Sequence, residues 1–322
     1  MTKQRTILLP VVGVLTAAAV LTGCGQEGDD AASDAADGGR PTVCLVMKSM
    51  GNEYFQTMER GAKAHARERG DLDLKSSGIQ NETDIDGQVA AINRCVTESA
   101  DALVIAPTDS RALVAPLKRA EKRGLKVINI DVRLDAGALQ ASGMKVPFVG
   151  PDNERGARLS GEALAEKLGK GAEVALLEGS PGADNARQRA AGFRAAAEAG
   201  GLKVVSAKTA HWETDEAYNV LGNMLTAHPD IKGVLASNDS MALGALKAVE
   251  AKKKTSVKIA SFDNIEAIRP YVKKGRVVAT VDQYAAKQAA DGIDQAMKAI
   301  AGDEPAGWVK TDVKVVTADD LR

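Results

Sequence analysis

The stretch VCLVMKSMGNEYFQTMERGAKAHARER, residues 43–69, decides the fold. Its first five residues, Val43 to Met47, are apolar without interruption, as a strand buried on both faces must be. A polar, glycine-containing turn follows, and Tyr54 to Arg69 then reads as an amphipathic helix. Working outward, the unit repeats. Residues 102–106 and 126–130 are further strands, with helices over 84–99 and 110–123. The alternation restarts at the strand 147–149 and runs through strands at 173–177, 203–206, 233–236, 258–260 and 277–281. A helix follows each, the last over 285–301, and residues 309–316 read as an extended tail. Such units predict α/β architecture with parallel, doubly wound sheets, and two consecutive sets predict two lobes. Ligands in open sheets of this kind bind beyond the carboxyl ends of the strands.

Composition supports a well-cored protein. The chain has 322 residues, of which 44% are hydrophobic, enough for two ordinary domains. The formal net charge is −1, and it becomes −3 without residues 1–23, whose only charges are Lys3 and Arg5. A weakly acidic surface gives no footprint for nucleic acid. Of three cysteines, Cys24 directly follows the N-terminal leader segment. Cys44 and Cys95 read as two small buried residues, and an oxidising location would also permit a disulfide between them. Two cysteines indicate neither a zinc site nor a redox motif, and no metal or other cofactor is expected.

The N-terminus reads as an address. Lys3 and Arg5 precede an apolar run from Ile7 to Leu21, and Leu21-Thr22-Gly23-Cys24 closes it. Charged, apolar and small residues in that order make a secretory signal peptide, and the run is short for a membrane span. The last four residues resemble a bacterial lipobox. That resemblance implies lipidation of Cys24 and anchorage outside the cytoplasmic membrane, on the cell surface or in the periplasm. Residues 25–39, rich in Gly, Asp, Ala and Ser, suit a flexible tether.

The strand ends carry the chemistry. They present Lys48, Asn52, Tyr54 and Phe55; then Asp131 and Arg133; then Arg187 and Arg189; and finally Trp212, Asn238, Asp263 and Gln283. Carboxylate, amide and guanidinium groups can each serve two adjacent hydroxyls, and aromatic faces pack on the C–H faces of a sugar ring. With only four Phe, four Tyr and two Trp in the chain, aromatics in these loops are informative. Asn52, Asn238 and Asp263 can equally be helix N-caps, and the two arginines can be solvated helix residues.

Lys48 to Phe55, Ala106-Pro-Thr-Asp-Ser110, the Arg187/Arg189 loop, 226–230, 238–245 and Phe262-Asp263 together resemble the ribose-, allose- and galactose-type periplasmic binding proteins, from about Thr42 to the C-terminus. The resemblance implies a Venus-flytrap fold with three hinge crossings, a monosaccharide or sugar alcohol between the lobes, and delivery to an ABC permease by a monomer. It assigns ligand contacts to the twelve residues just named, with Asp152-Asn153 a weaker candidate near a crossing. Where the family often has Arg or Asn after the Asp, this chain has Val132 and then Arg133, which widens the expected ligand toward polyols and acidic sugars. The domain reading is 1–23 leader, 24–40 tether, 41–150 with 284–308 the N-terminal lobe, and 151–283 with 309–322 the C-terminal lobe. A repressor of the lactose type would need an N-terminal DNA-binding helix pair where this chain has a signal peptide. A secreted hydrolase would need a Gly-x-Ser-x-Gly elbow or a zinc pattern, and neither occurs, so no enzyme activity is expected. A sensory receptor signalling to a membrane kinase is the alternative to transport.

Overall fold

The computed structural model describes residues 39–304 and 307–322. The leader, Cys24 and all but the last two residues of the expected tether lie outside the described residues.

The first lobe begins with β1 (Thr42–Ser49), α1 (Glu53–Arg69), β2 (Asp73–Ile79), α2 (Ile85–Thr97) and β3 (Ala102–Ile105). It continues with α3 (Val114–Lys122), β4 (Lys126–Ile130), α4 (Ala136–Ser142) and β5 (Phe148–Pro151). The second lobe runs through α5 (Asn153–Leu168), β6 (Glu173–Glu178), α6 (Asp184–Gly200), β7 (Lys203–Thr209), α7 (Thr214–Ala227) and β8 (Gly233–Ala236). Then come α8 (Asp239–Ala251), β9 (Lys258–Ala260), a 3-10 turn at 266–268 leading into α9 (Arg269–Lys273), and β10 (Val277–Asp282). The chain returns to the first lobe in α10 (Ala285–Ile300) and β11 (Trp308–Thr311), and ends in β12 (Lys314–Val316).

Two six-stranded sheets result, ordered β11-β5-β4-β3-β1-β2 and β12-β10-β9-β8-β6-β7. The first is parallel throughout, and in the second only β12 runs antiparallel, against β10. The central strands β3 and β8, and β1 from Val43, are buried along their whole length because helices cover both faces. The helices pack closely where residues are small. A Cβ on Gly61 of α1 would sit 2.4 Å from the Cβ of Ala286 in α10, so only glycine lets these helices approach that near.

Three differences from the sequence reading have physical causes. The strand β2 was not expected: its sequence DLKSSGI lacks an apolar run, and it is an edge strand with only Ile79 buried. The tail assigned whole to the second lobe is divided, since β11 pairs with β5 of the first sheet with Trp308 opposite Phe148. The third crossing therefore falls between Thr311 and Lys314, beside those at Pro151–Asn153 and Asp282–Ala285. Finally, Cys44 and Cys95 are buried and also joined in a disulfide, their Cα atoms 6.1 Å apart. It fastens α2 onto β1 across 51 residues of chain, worth about 4 kcal/mol by loop closure.

Candidate functional site

The loops at the carboxyl ends of both sheets meet around one polar cavity. Its walls are Lys48, Asn52, Tyr54, Phe55, Glu82 and Asp131 from the first lobe, with Asn185, Arg189, Trp212, Asn238 and Asp263 from the second and Gln283 from a crossing segment.

The first-lobe wall is a bonded set. Lys48 ends the apolar run of β1 and is 2% exposed. Its Nζ lies 2.7 Å from Glu82 Oε2, and Glu82 Oε1 accepts from Asn52 Nδ2 at 3.0 Å. Lys48 also stands 5.7 Å from the centre of the Phe55 ring and 5.1 Å from that of Trp212. The Tyr54 hydroxyl donates to Asp131 Oδ1 at 3.2 Å and accepts from Gln288 at 3.1 Å. Burial pushes the Tyr54 phenol well above its ordinary value, and Asp131 adds to the push. Burial likewise raises the Asp131 carboxyl, against the pull of Lys48 and Arg189.

The second-lobe wall centres on Arg189, which is 2% exposed on α6. Its Nε donates to Asn153 Oδ1 at 2.8 Å, and its Nη1 to the Ser237 carbonyl at 2.9 Å and Asp263 Oδ1 at 3.3 Å. The guanidinium lies 3.7 Å from the centre of the Phe262 ring, close enough for a cation–π contact. Asp263 also accepts from Gln283 Nε2 at 2.7 Å. Burial pushes the Asp263 carboxyl well up, opposed first by Arg189. Behind it Asp239 accepts from Ser261, Thr280 and the Ile265 N–H, yet burial still raises its carboxyl to about 7.

Backbone strain concentrates here. Asp131, Trp212 and Asp263 all have positive φ, at 63°, 73° and 118°, in a region side chains rarely enter. The Trp212 ring occupies space that a Cβ on Gly179 would take, within 2.1 Å. Two buried polar atoms in the second-lobe wall, Asn185 Oδ1 and Trp212 Nε1, have no protein partner. They are an acceptor and a donor for hydroxyl groups. The wall thus carries two cations and three carboxylates, and each cation already faces a carboxylate.

The capping alternatives resolve differently. Asn52 caps α1 by accepting from the Tyr54 N–H, and Asn238 caps α8 by accepting from the Met241 N–H, while both also line the cavity. Asp263 caps nothing; its N–H joins the ladder to Val281. Two residues expected at the site are elsewhere. Arg187 is exposed and donates to the Pro181 carbonyl and to Asp184. It is two residues from Arg189 on one helix, a rotation of about 200°, so the pair cannot face the same way. Arg133 is half-buried between aromatic rings, its guanidinium 4.7 Å from the centre of Phe148 and 4.3 Å from that of Trp308. The preceding Val132 is core. Glu82 and Asn185 line the cavity without having been singled out. Glu82 follows the unexpected strand β2, so its position at a strand end was hidden. Asn185 lies in the first turn of α6, in the stretch that carries Arg187 and Arg189, where its polarity was a usable signal.

A family model described as periplasmic binding protein domain matches residues 43–304. The chain is similar to the D-ribose/D-allose-binding protein of Pseudomonas aeruginosa, with 49% identity over 310 residues, covering 94% of this chain and 97% of that one. Among solved structures it is similar to an ABC transporter solute-binding protein from Burkholderia multivorans, at 48% identity and a TM-score of 0.85, covering 87% of this chain and 100% of that one. It is also similar to a periplasmic solute-binding protein of an ABC transporter from Actinobacillus succinogenes with bound D-allose. There the identity is 39% and the TM-score 0.81, over 87% of this chain and 98% of that one.

Proposed function

The chain belongs to the periplasmic binding protein family, and from that premise we propose that it captures a neutral monosaccharide of the ribose or allose kind between its lobes and delivers it to an ABC importer. The observation that carries the choice of ligand is the pairing inside the cavity. Lys48 faces Glu82 and Arg189 faces Asp263, so neither cation has charge to spare for an anion, and Asp131 adds a further carboxylate. With Arg133 and Arg187 outside the cavity, the case for an acidic sugar falls away. The remaining groups suit hydroxyls: Asp131, Asp263 and Asn185 Oδ1 accept, while Arg189, the Trp212 Nε1 and the amides donate. Phe55 and Trp212 offer apolar faces to a ring.

Because both lobes supply the wall, a sugar that touches both favours the closed arrangement by its differential affinity. Closure buries the sugar and brings both lobes into one surface that a permease can recognise. The protein is proposed to act as a monomer, held outside the cytoplasmic membrane by acyl chains on Cys24. Thermal-shift screening across pentoses, hexoses and polyols tests the ligand reading. D-ribose or D-allose should raise the melting temperature in a saturable way, and a response to none of the neutral sugars would overturn it. In the same cells, Cys24→Ser should release the protein from the membrane fraction; protein that stays bound would remove the anchor.

A further inference from the structure

The lobes are also fastened together by hydrogen bonds that do not involve the cavity-lining side chains. Glu53, the first residue of α1, reaches across from the first lobe to the turn after β9 in the second. Its Oε1 accepts from the Glu266 N–H at 2.7 Å and its Oε2 from the Ala267 N–H at 3.2 Å. A second crossing joins the loop after β3 to the loop after β6. The Ser110 N–H donates to the Gly182 carbonyl at 3.0 Å, and Ser110 Oγ accepts from the Asp184 N–H at 2.9 Å. A third joins the loops after β2 and β7, where the Glu82 N–H donates to Glu213 Oε1 at 2.9 Å. Three separate loop pairs are thus bridged, and neither Glu53 nor Ser110 lines the cavity.

We propose that Glu53 is a closure latch, a positioning residue that sets the open–closed ratio, and through it affinity and release rate, without touching the ligand. Both carboxylate oxygens of Glu53 are used across the gap, on backbone donors that only the closed arrangement brings within reach. A bond present in one of two conformations shifts their equilibrium by its full worth, and a ligand that needs the closed form is bound in proportion to the closed fraction. Carboxylate-to-N–H bonds are among the stronger hydrogen bonds, though partial exposure weakens this one. The affinity consequence rests on the capture reading above. The closure consequence does not, since the lobes can be observed with no sugar present.

Glu53→Asp is the informative variant. It keeps a carboxylate in the first turn of α1, where negative charge favours the helix, and removes one methylene of reach. Small-angle scattering of the unliganded protein should show a larger radius of gyration for E53D than for wild type. Stopped-flow with D-allose should show dissociation about three- to tenfold faster, with association nearly unchanged. Ser110→Ala, which unlatches a different loop pair, should act in the same direction, and the double variant should exceed either. An unchanged radius together with an unchanged dissociation rate would overturn the latch. So would a fall in the melting temperature of unliganded E53D with no change in radius, which is the mark of a merely structural residue. Should wild type bind neither D-allose nor D-ribose, the ligand reading fails and the scattering comparison alone decides the latch.

Discussion

The two halves of the cavity repeat one device with different backbones beneath it. The first lobe sets Lys48 against Glu82 beside the Phe55 ring; the second sets Arg189 against Asp263 over the Phe262 ring. Each is a buried cation, a carboxylate that neutralises it and an aromatic face. The supports differ. Lys48 extends directly from the buried strand β1, and of the first-lobe wall only Asp131 has a positive φ. The second wall rests on strained turns, with Trp212, Asp263 and Asn264 all at positive φ, and it keeps the unpartnered Asn185 Oδ1 and Trp212 Nε1. The first half therefore pairs its charges with one another, Glu82 Oε2 meeting Lys48, and the second adds an amide oxygen and an indole N–H without a protein partner, which can tell one sugar from another.

Substitutions can break that contrast in graded steps. Asp263→Ala should have the largest effect. It strips the carboxylate from both Arg189 and Gln283 and leaves a buried guanidinium short of a partner, a loss of about 3 kcal/mol or roughly a hundredfold in affinity by calorimetry. Retention of full affinity would remove Asp263 from the site. Glu82→Gln should cost less, about tenfold, because the amide oxygen can still accept from Lys48 or Asn52 while the charge is lost. A larger loss for E82Q than for D263A would invert the ranking and make the first half the discriminating one. Arg187→Ala should change affinity by less than about twofold, since its guanidinium is committed to Pro181 and Asp184 on the outer side of α6. A tenfold loss there would place the ligand partly outside the cavity described.

What the sequence made legible follows the same physics. Central strands were readable because burial on both faces demands uninterrupted apolar runs, as in Val43–Met47 and Gly233–Ala236. The edge strand β2 is half-solvated and polar, carries no such run, and took Glu82 out of view with it. The strand-end rule then located Lys48, Asp131, Trp212, Asn238 and Asp263 at the cavity, because it depends on topology and not on side-chain detail. It could not separate Arg187 from Arg189, which a count of helical rotation separates, nor see that Phe148 and Trp308 hold Arg133. That last contact depends on β11 joining the first sheet, and a strand pairing between residues 148 and 308 is invisible to local pattern. Whether Cys44 and Cys95 bond depends on a Cα separation that spacing alone does not contain.

A cavity whose cations are already paired should take a neutral polyhydroxy ring and refuse an anionic one. Calorimetric titration of the wild-type protein at neutral pH with D-allose, and separately with the uronic acid of the same stereochemistry, tests it most directly. D-allose should bind one-to-one and the acid about tenfold more weakly or worse, because a further carboxylate would meet Asp131, Glu82 and Asp263 without a free cation to receive it. Tighter binding of the acid would contradict it.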